Sequence, residues 1–267
     1  MPTTTINDIS MAYNVCGEGT PILLIHGGVI SQTEWQPQLE DFAEHYEVIT
    51  CDLRGHGETS YTNAPYSVAL FASDIVVLLD TLGIDQVICC GHSLGGMVAQ
   101  ELAIRYPDRI RCLILAETSY GTSSTWWETL QTIMARWTFR LMSVEAMTRL
   151  SAQQTGKWSP EVGPYLEREM VRHADNKANY LNIWEAVLTF DSRTRIQHIT
   201  CPTLILIGEH YRQTHTQARK MQQRIPNAEL QTVPDAGHMI NWDNTAFFNC
   251  VVLEFCEQCD SISNTIT

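Results

Sequence analysis

A serine with a glycine two residues away on either side, Gly91-His92-Ser93-Leu94-Gly95, stands between an apolar run (87–90) and a helical pattern that starts at residue 94. That context puts Ser93 on a tight strand-to-helix turn. Its neighbours must be tiny there, and its hydroxyl projects above the sheet at a helix N-terminus, as a nucleophile requires. His26-Gly27-Gly28 closes another apolar run, 22–25. Acyl transfer needs two N–H donors aimed at the developing oxyanion. The N–H groups of Leu94 and Gly28 are assigned here, with Val29 as the alternative second donor. Of nine histidines, His238 follows the last strand pattern in Asp235-Ala236-Gly237-His238 and suits the general base. His92 adjoins Ser93 but should point away. His26 and His56 sit in glycine turns and read as loop braces. His210 and His215 have no partner cluster, so no metal site is expected.

These groups need strand ends to hold them. Runs at 22–25, 48–51, 87–90, 113–116 and 204–207 are apolar throughout rather than alternating, as strands covered on both faces are. Residues 5–16 read as two short strands joined by a turn, and a last strand fits 229–233. Helical patterns fall at 33–45, 68–82, 94–106, 214–224 and 244–258, with Pro107 closing the third. The alternation predicts an α/β fold with a mostly parallel, twisted, eight-stranded sheet and helices on both faces. Residues 120–195 break the rhythm, with helical patterns at 126–139, 144–154, 160–173 and 176–188. They predict a helical lid over the C-terminal edge of the sheet, where ligands bind in open α/β folds. Residues 1–119 and 196–267 then form the core domain. The polar tail, 260–267, reads as frayed.

The chain resembles the α/β-hydrolase superfamily, in its lidded esterase, lactonase and haloperoxidase-like branch. The resemblance covers residues 5–259. It rests on His26-Gly27-Gly28, Asp52-Leu53-Arg54-Gly55-His56-Gly57, Gly91-His92-Ser93-Leu94-Gly95-Gly96, Tyr106-Pro107-Asp108-Arg109 and Gly237-His238. Most members carry the triad acid as Gly-x-x-Asp after the strand that here ends at Gly208. This chain reads Gly208-Glu209-His210-Tyr211. A phenol, with an ordinary pKa of about 10, cannot stabilise an imidazolium as an aspartate does. The position of Glu117, just past the strand after the nucleophile helix, is similar to the acid of some haloalkane dehalogenases and of zearalenone-type lactonases. The resemblance therefore implies the triad Ser93, His238 and Glu117, with Glu209 and then Asp235 as competing acids. With no acid at all, the protein would be slow or non-catalytic.

The implied activity is hydrolysis of a small or medium apolar ester or lactone through an acyl-enzyme, with no metal or organic cofactor. Val29, Trp126, Trp127, Trp184 and Met239 are the expected substrate contacts. A carbon–carbon hydrolase or haloperoxidase using the same triad, and a small-molecule receptor with very slow turnover, are the competing functions. With 17 basic and 30 acidic side chains, the net charge of −13 opposes nucleic-acid and anionic-membrane partners. No apolar stretch reaches the ~18 residues of a membrane span. Residues 1–5 do not read as a signal peptide. The nine scattered cysteines read as buried free thiols, including Cys256-x-x-Cys259, and imply a reducing, cytoplasmic location. Oligomeric state is left open.

Overall fold

The computed structural model describes residues 1–122 and 125–266. Its strands are β1 (Thr3–Ile6), β2 (Ile9–Cys16), β3 (Pro21–Ile25), β4 (Glu47–Cys51), β5 (Val87–His92), β6 (Ile110–Ala116), β7 (Thr203–Gly208) and β8 (Ala228–Val233). They form one sheet in the order β1-β2-β4-β3-β5-β6-β7-β8. β1 and β2 pair antiparallel, as do β2 and β4, and every later pairing is parallel. All parallel strands therefore end at one edge, and Ser93, Glu117 and the loop after β8 gather there.

Helices α1 (Gln36–Ala43), α2 (Val68–Leu82), α3 (Leu94–Arg105), α8 (Arg212–Arg224), α9 (Ile240–Asp243) and α10 (Thr245–Ile266) flank the sheet. Alternate strand residues enter two separate cores. Leu23, Cys89 and Leu113 pack with Ile75, Val98 and Met221 of α2, α3 and α8. Ile22, Ile88 and Ile114 pack with Phe42 of α1 and with Phe248 and Val252 of α10. Burial on both faces is why these strands are apolar at every position. Ser67 caps α2 by accepting from the Leu70 N–H, and Gly83 ends it in the left-handed conformation at φ +71°. The tail expected to fray continues α10 to Ile266, while Thr267 lies outside the described residues.

Between β6 and β7 the chain runs through α4 (Trp126–Leu141), α5 (Val144–Thr155), α6 (Val162–Val171) and α7 (Lys177–Thr189). Ser123 and Ser124, part of the expected lid, lie outside the described residues. Thr125 and Glu128 form a reciprocal capping box that starts α4. Polar bonds tie these helices to core loops. Ser31 donates to Glu169 at 2.7 Å, and Asn179 donates to the Gly55 carbonyl at 2.7 Å.

The loop after β4 is anchored by a buried ion pair. The Arg54 guanidinium, 1% exposed, grips the fully buried Asp74 carboxylate of α2 through two bonds of 2.8 Å. Without Asp74 the buried guanidinium keeps the more exposed Asp8 carboxylate at 2.6 Å but loses its buried counter-charge. Asp74→Ala is expected to lower unfolding free energy by about 3–5 kcal/mol, read from urea denaturation. A loss below about 1 kcal/mol would contradict this role.

Candidate active site

Ser93 has φ +51° and ψ −112°, a conformation that an L-residue holds only where its surroundings enforce it. The Ser93 N–H donates to the Ala116 carbonyl at 3.0 Å, and the Thr118 hydroxyl donates to the Ser93 carbonyl at 2.7 Å. Glycine is required on both sides. A Cβ at Gly91 would strike the Gly95 carbonyl, and one at Gly95 would strike the Ile25 carbonyl of β3. Leu94 opens α3, so its N–H precedes the helical hydrogen-bond ladder and is available to an anion. Leu94 and Gly28 line the same cavity as Ser93 and His238, and Val29 beside them sits at φ +58°.

Glu117 follows β6 directly, at φ +41°. Its side chain is fully buried. One carboxylate oxygen accepts the Gly208 N–H, and the other, Oε2, accepts the Thr214 hydroxyl at 2.8 Å. Oε2 lies 4.0 Å from His238 Nδ1, which is buried and has no hydrogen-bond partner. Among the described residues, this is the carboxylate recorded within 4.0 Å of the His238 ring. Glu209 is exposed and accepts the Asp235 N–H at 3.1 Å. Glu209, His210 and Asp235 form an exposed surface group with one donor atom from each within 4.8 Å of the others. Tyr211, where the resemblance leads one to expect the acid, packs its ring 4.6 Å from the His238 ring.

Burial sets the charges. It raises Glu117 to a pKa of about 8, although the bonds from Gly208 and Thr214 favour the anion. Burial, and then the neighbouring His92, lower His238 to about 3, so this imidazole is neutral and able to accept a proton. Burial and Glu117 raise Tyr211 to about 12, so it stays a neutral phenol.

A further carboxylate, which the sequence did not single out, braces the site. Glu34 is fully buried, accepts the Gly27 N–H at 2.7 Å and lies 2.5 Å from His92 Nδ1. His92 Nε2 donates to the His238 carbonyl at 2.8 Å. The Glu34 carbonyl accepts from Trp242 Nε1 at 2.7 Å. Burial pushes His92 down, but Glu34 overcomes it and holds the ring above its ordinary value. A doubly protonated imidazolium fits both contacts. His92 thus turns away from the Ser93 side chain, as expected. His26 braces its loop by accepting the Leu53 N–H at 2.9 Å.

Two cavities meet at Ser93 and His238. One, of about 300 Å³, has mixed walls, with Glu117, Thr118, Gln131, Thr132, Tyr211 and Gln217 beside Met97, Ala135 and Leu188. The other, of about 90 Å³, is apolar and includes Val29, Leu166, Met170, Trp184 and Met239. Of the expected substrate contacts, Val29, Trp184 and Met239 therefore reach Ser93. Trp126 and Trp127 do not. They stack on each other at 4.1 Å and are 68% and 59% exposed, because α4 turns its other face to the cavity.

The profile of the α/β hydrolase fold matches residues 20–142. The chain is 27% identical to 3-oxoadipate enol-lactonase 2 of Acinetobacter baylyi, over 94% of each. It is 29% identical to a putative carbamate hydrolase RutD of Azorhizobium caulinodans, over 97% of this chain and 100% of the relative. The enol-lactonase structure from Burkholderia xenovorans LB400 superposes with a TM-score of 0.87 at 26% identity, covering 96% of this chain and 100% of that one. The chain has the α/β-hydrolase fold. It is a hydrolase. No helix among the described residues is long and apolar enough to cross a membrane.

The Glu117 carboxyl binds its proton more tightly in this hydrolase than in an unfolded chain, where a pKa of about 4.3 is usual. The native state therefore holds more protons between these two values, and stability falls as pH rises from about 4.5 to 8. Glu117→Gln removes the dependence. At pH 8 the variant should be more stable than the parent by on the order of 2–4 kcal/mol, and at pH 4.5 by less than about 1 kcal/mol. Denaturant melts at the two pH values test this, and a pH-independent difference would contradict it.

Proposed function

We propose that this chain is a serine hydrolase of small carboxylic esters or lactones that works through an acyl-enzyme. Ser93 is the nucleophile, His238 the general base and Glu117 the acid. The observation carrying this reading is that a buried carboxylate lies beside a neutral His238, over the same cavities as a strained serine. His238 takes the Ser93 proton as Oγ attacks the carbonyl carbon. The N–H groups of Leu94 and Gly28 receive the oxyanion. His238 then protonates the leaving alkoxide and activates the water that cleaves the acyl-serine.

Glu117 enters when charge appears on His238. An imidazolium 4.0 Å away favours the carboxylate anion, and a small shift of the ring closes the hydrogen bond. Val29, Trp184 and Met239 suit the apolar part of the substrate. Residues 120–195 act as the cap over the core formed by 1–119 and 196–267. The names of the enol-lactonase relatives support the lactone class. A receptor with slow turnover is the second reading, favoured by the grip of Gly208 and Thr214 on the Glu117 carboxylate.

A panel of p-nitrophenyl esters and lactones separates the two. The hydrolase reading predicts a burst of one product per enzyme wherever deacylation is slower than acylation. It also predicts that Ser93→Ala abolishes turnover. Glu117→Gln should lower kcat by about 10³–10⁴-fold, and Glu209→Gln by less than about 3-fold. The kcat/KM of the parent should rise with pH to a plateau above about 8, as Glu117 ionises. This limb should be missing in Glu117→Gln. Ligand binding without turnover, unaltered by Glu117→Gln, would decide for the receptor.

A further inference from the structure

Helix α4 turns an apolar stripe to water. Trp126, Leu130, Ile133, Met134, Trp137 and Leu141 are 40–77% exposed, and none of the residues of α4 is buried. At 100° per residue the six fall within a stripe about 100° wide. The opposite side of the helix faces inward and is mixed, with Phe139 stacked on Trp184 of α7 at 4.6 Å. Gln131 and Thr132 wall the cavity that holds Ser93 and Glu117, and Arg136 pairs with Glu185 of α7 at 2.8 Å. A helix whose apolar side faces water lacks a partner on its outer face.

We propose that this stripe is the homodimer interface, with α4 of one chain packed against α4 of a second copy about a twofold axis. Size supports it. Six large side chains exposed to this degree, extended by Trp127 stacked on Trp126, approach the ~800 Å² that each partner contributes to a standard interface. That exceeds the ~300–600 Å² patch of an ordinary monomer. Shape supports it as well. In an antiparallel pairing the bulky Trp126 end of one helix covers the slimmer Leu141 end of the other, so one stripe complements itself. Charge points the same way. A chain of net charge −13 is repelled by an anionic surface and by its own copies, and a stripe of six uncharged residues is where a second copy approaches with least repulsion. Because the inner side of α4 walls the cavity at Ser93, the second copy fixes that wall from behind.

Sedimentation equilibrium of the full chain across micromolar concentrations tests the interface. The parent should be a dimer, tightened by added salt as like charges are screened. Trp137→Glu and, separately, Leu141→Asp should each raise the dimer dissociation constant at least 100-fold while keeping the parent circular dichroism spectrum. Tyr61→Glu, at a 57% exposed position outside α4, should leave the dimer intact. A parent that is monomeric at 100 µM overturns the proposal, as does a dimer that survives both α4 variants. A monomer that instead binds neutral phosphatidylcholine vesicles through α4 also overturns it and assigns the stripe to lipid.

Discussion

A carboxylate removed from water has to be held by something, and the site is organised around that demand at Glu117. Its two oxygens are bound by the backbone of Gly208 and the hydroxyl of Thr214, which come from the end of β7 and the start of α8. These groups flank Tyr211, the position where the family resemblance leads one to expect the acid. Tyr211 fills the remaining space against the His238 ring as a neutral phenol. In the proposed triad the acid stands at the end of β6, while the donors around it come from the end of β7 and the start of α8. The cost is a carboxyl that resists ionisation near neutral pH. The consequence is that negative charge at Glu117 is most favourable when His238 becomes positive, which is the step that needs it.

The nucleophile depends on a different set of forces. The backbone of Ser93 is strained by about 1–3 kcal/mol relative to a relaxed turn, and the strands on either side hold it in place. β5 pairs with β3 and β6, and the Ser93 N–H is tied to the end of β6. Beneath it, the Glu34–His92 pair links three loops through one buried contact: Gly27 of the oxyanion turn, His92 of the nucleophile turn and the backbone of His238. A buried pair of this kind fixes geometry more than it adds stability. Here it ties together the turns that carry the proposed base, nucleophile and oxyanion donors.

Much of this could be read from the sequence, for identifiable reasons. Uniformly apolar strands marked the doubly covered sheet, and Gly91 and Gly95 marked the serine turn because no other residue fits beside those carbonyls. Glu117 drew notice because Tyr211 stands where the resemblance leads one to expect an aspartate, and the Glu117 carboxylate lies 4.0 Å from His238. Glu34 did not, because a carboxylate in a short turn is ordinary until its partner His92 is known, and the two, 58 positions apart in the sequence, are brought together only by the fold. Trp126 and Trp127 were misplaced for a related reason. Periodicity gives the apolar side of a helix but not what covers it, and α4 presents its other side to the cavity. The end of α10 exceeded its sequence signal because the helix, once anchored by Phe248, Val252 and Phe255, carries its polar last turns with it.

The account turns on whether Glu117 reaches His238 once that ring is charged. The most direct measurement is the crystal structure of the protein with a phosphonate covalently bound to Ser93, which fixes the tetrahedral geometry and the imidazolium. The distance from Glu117 Oε2 to His238 Nδ1, 4.0 Å in the free protein, should shorten to about 2.7–2.9 Å. A separation still near 4 Å, or a different carboxylate on the ring, would contradict the relocated triad.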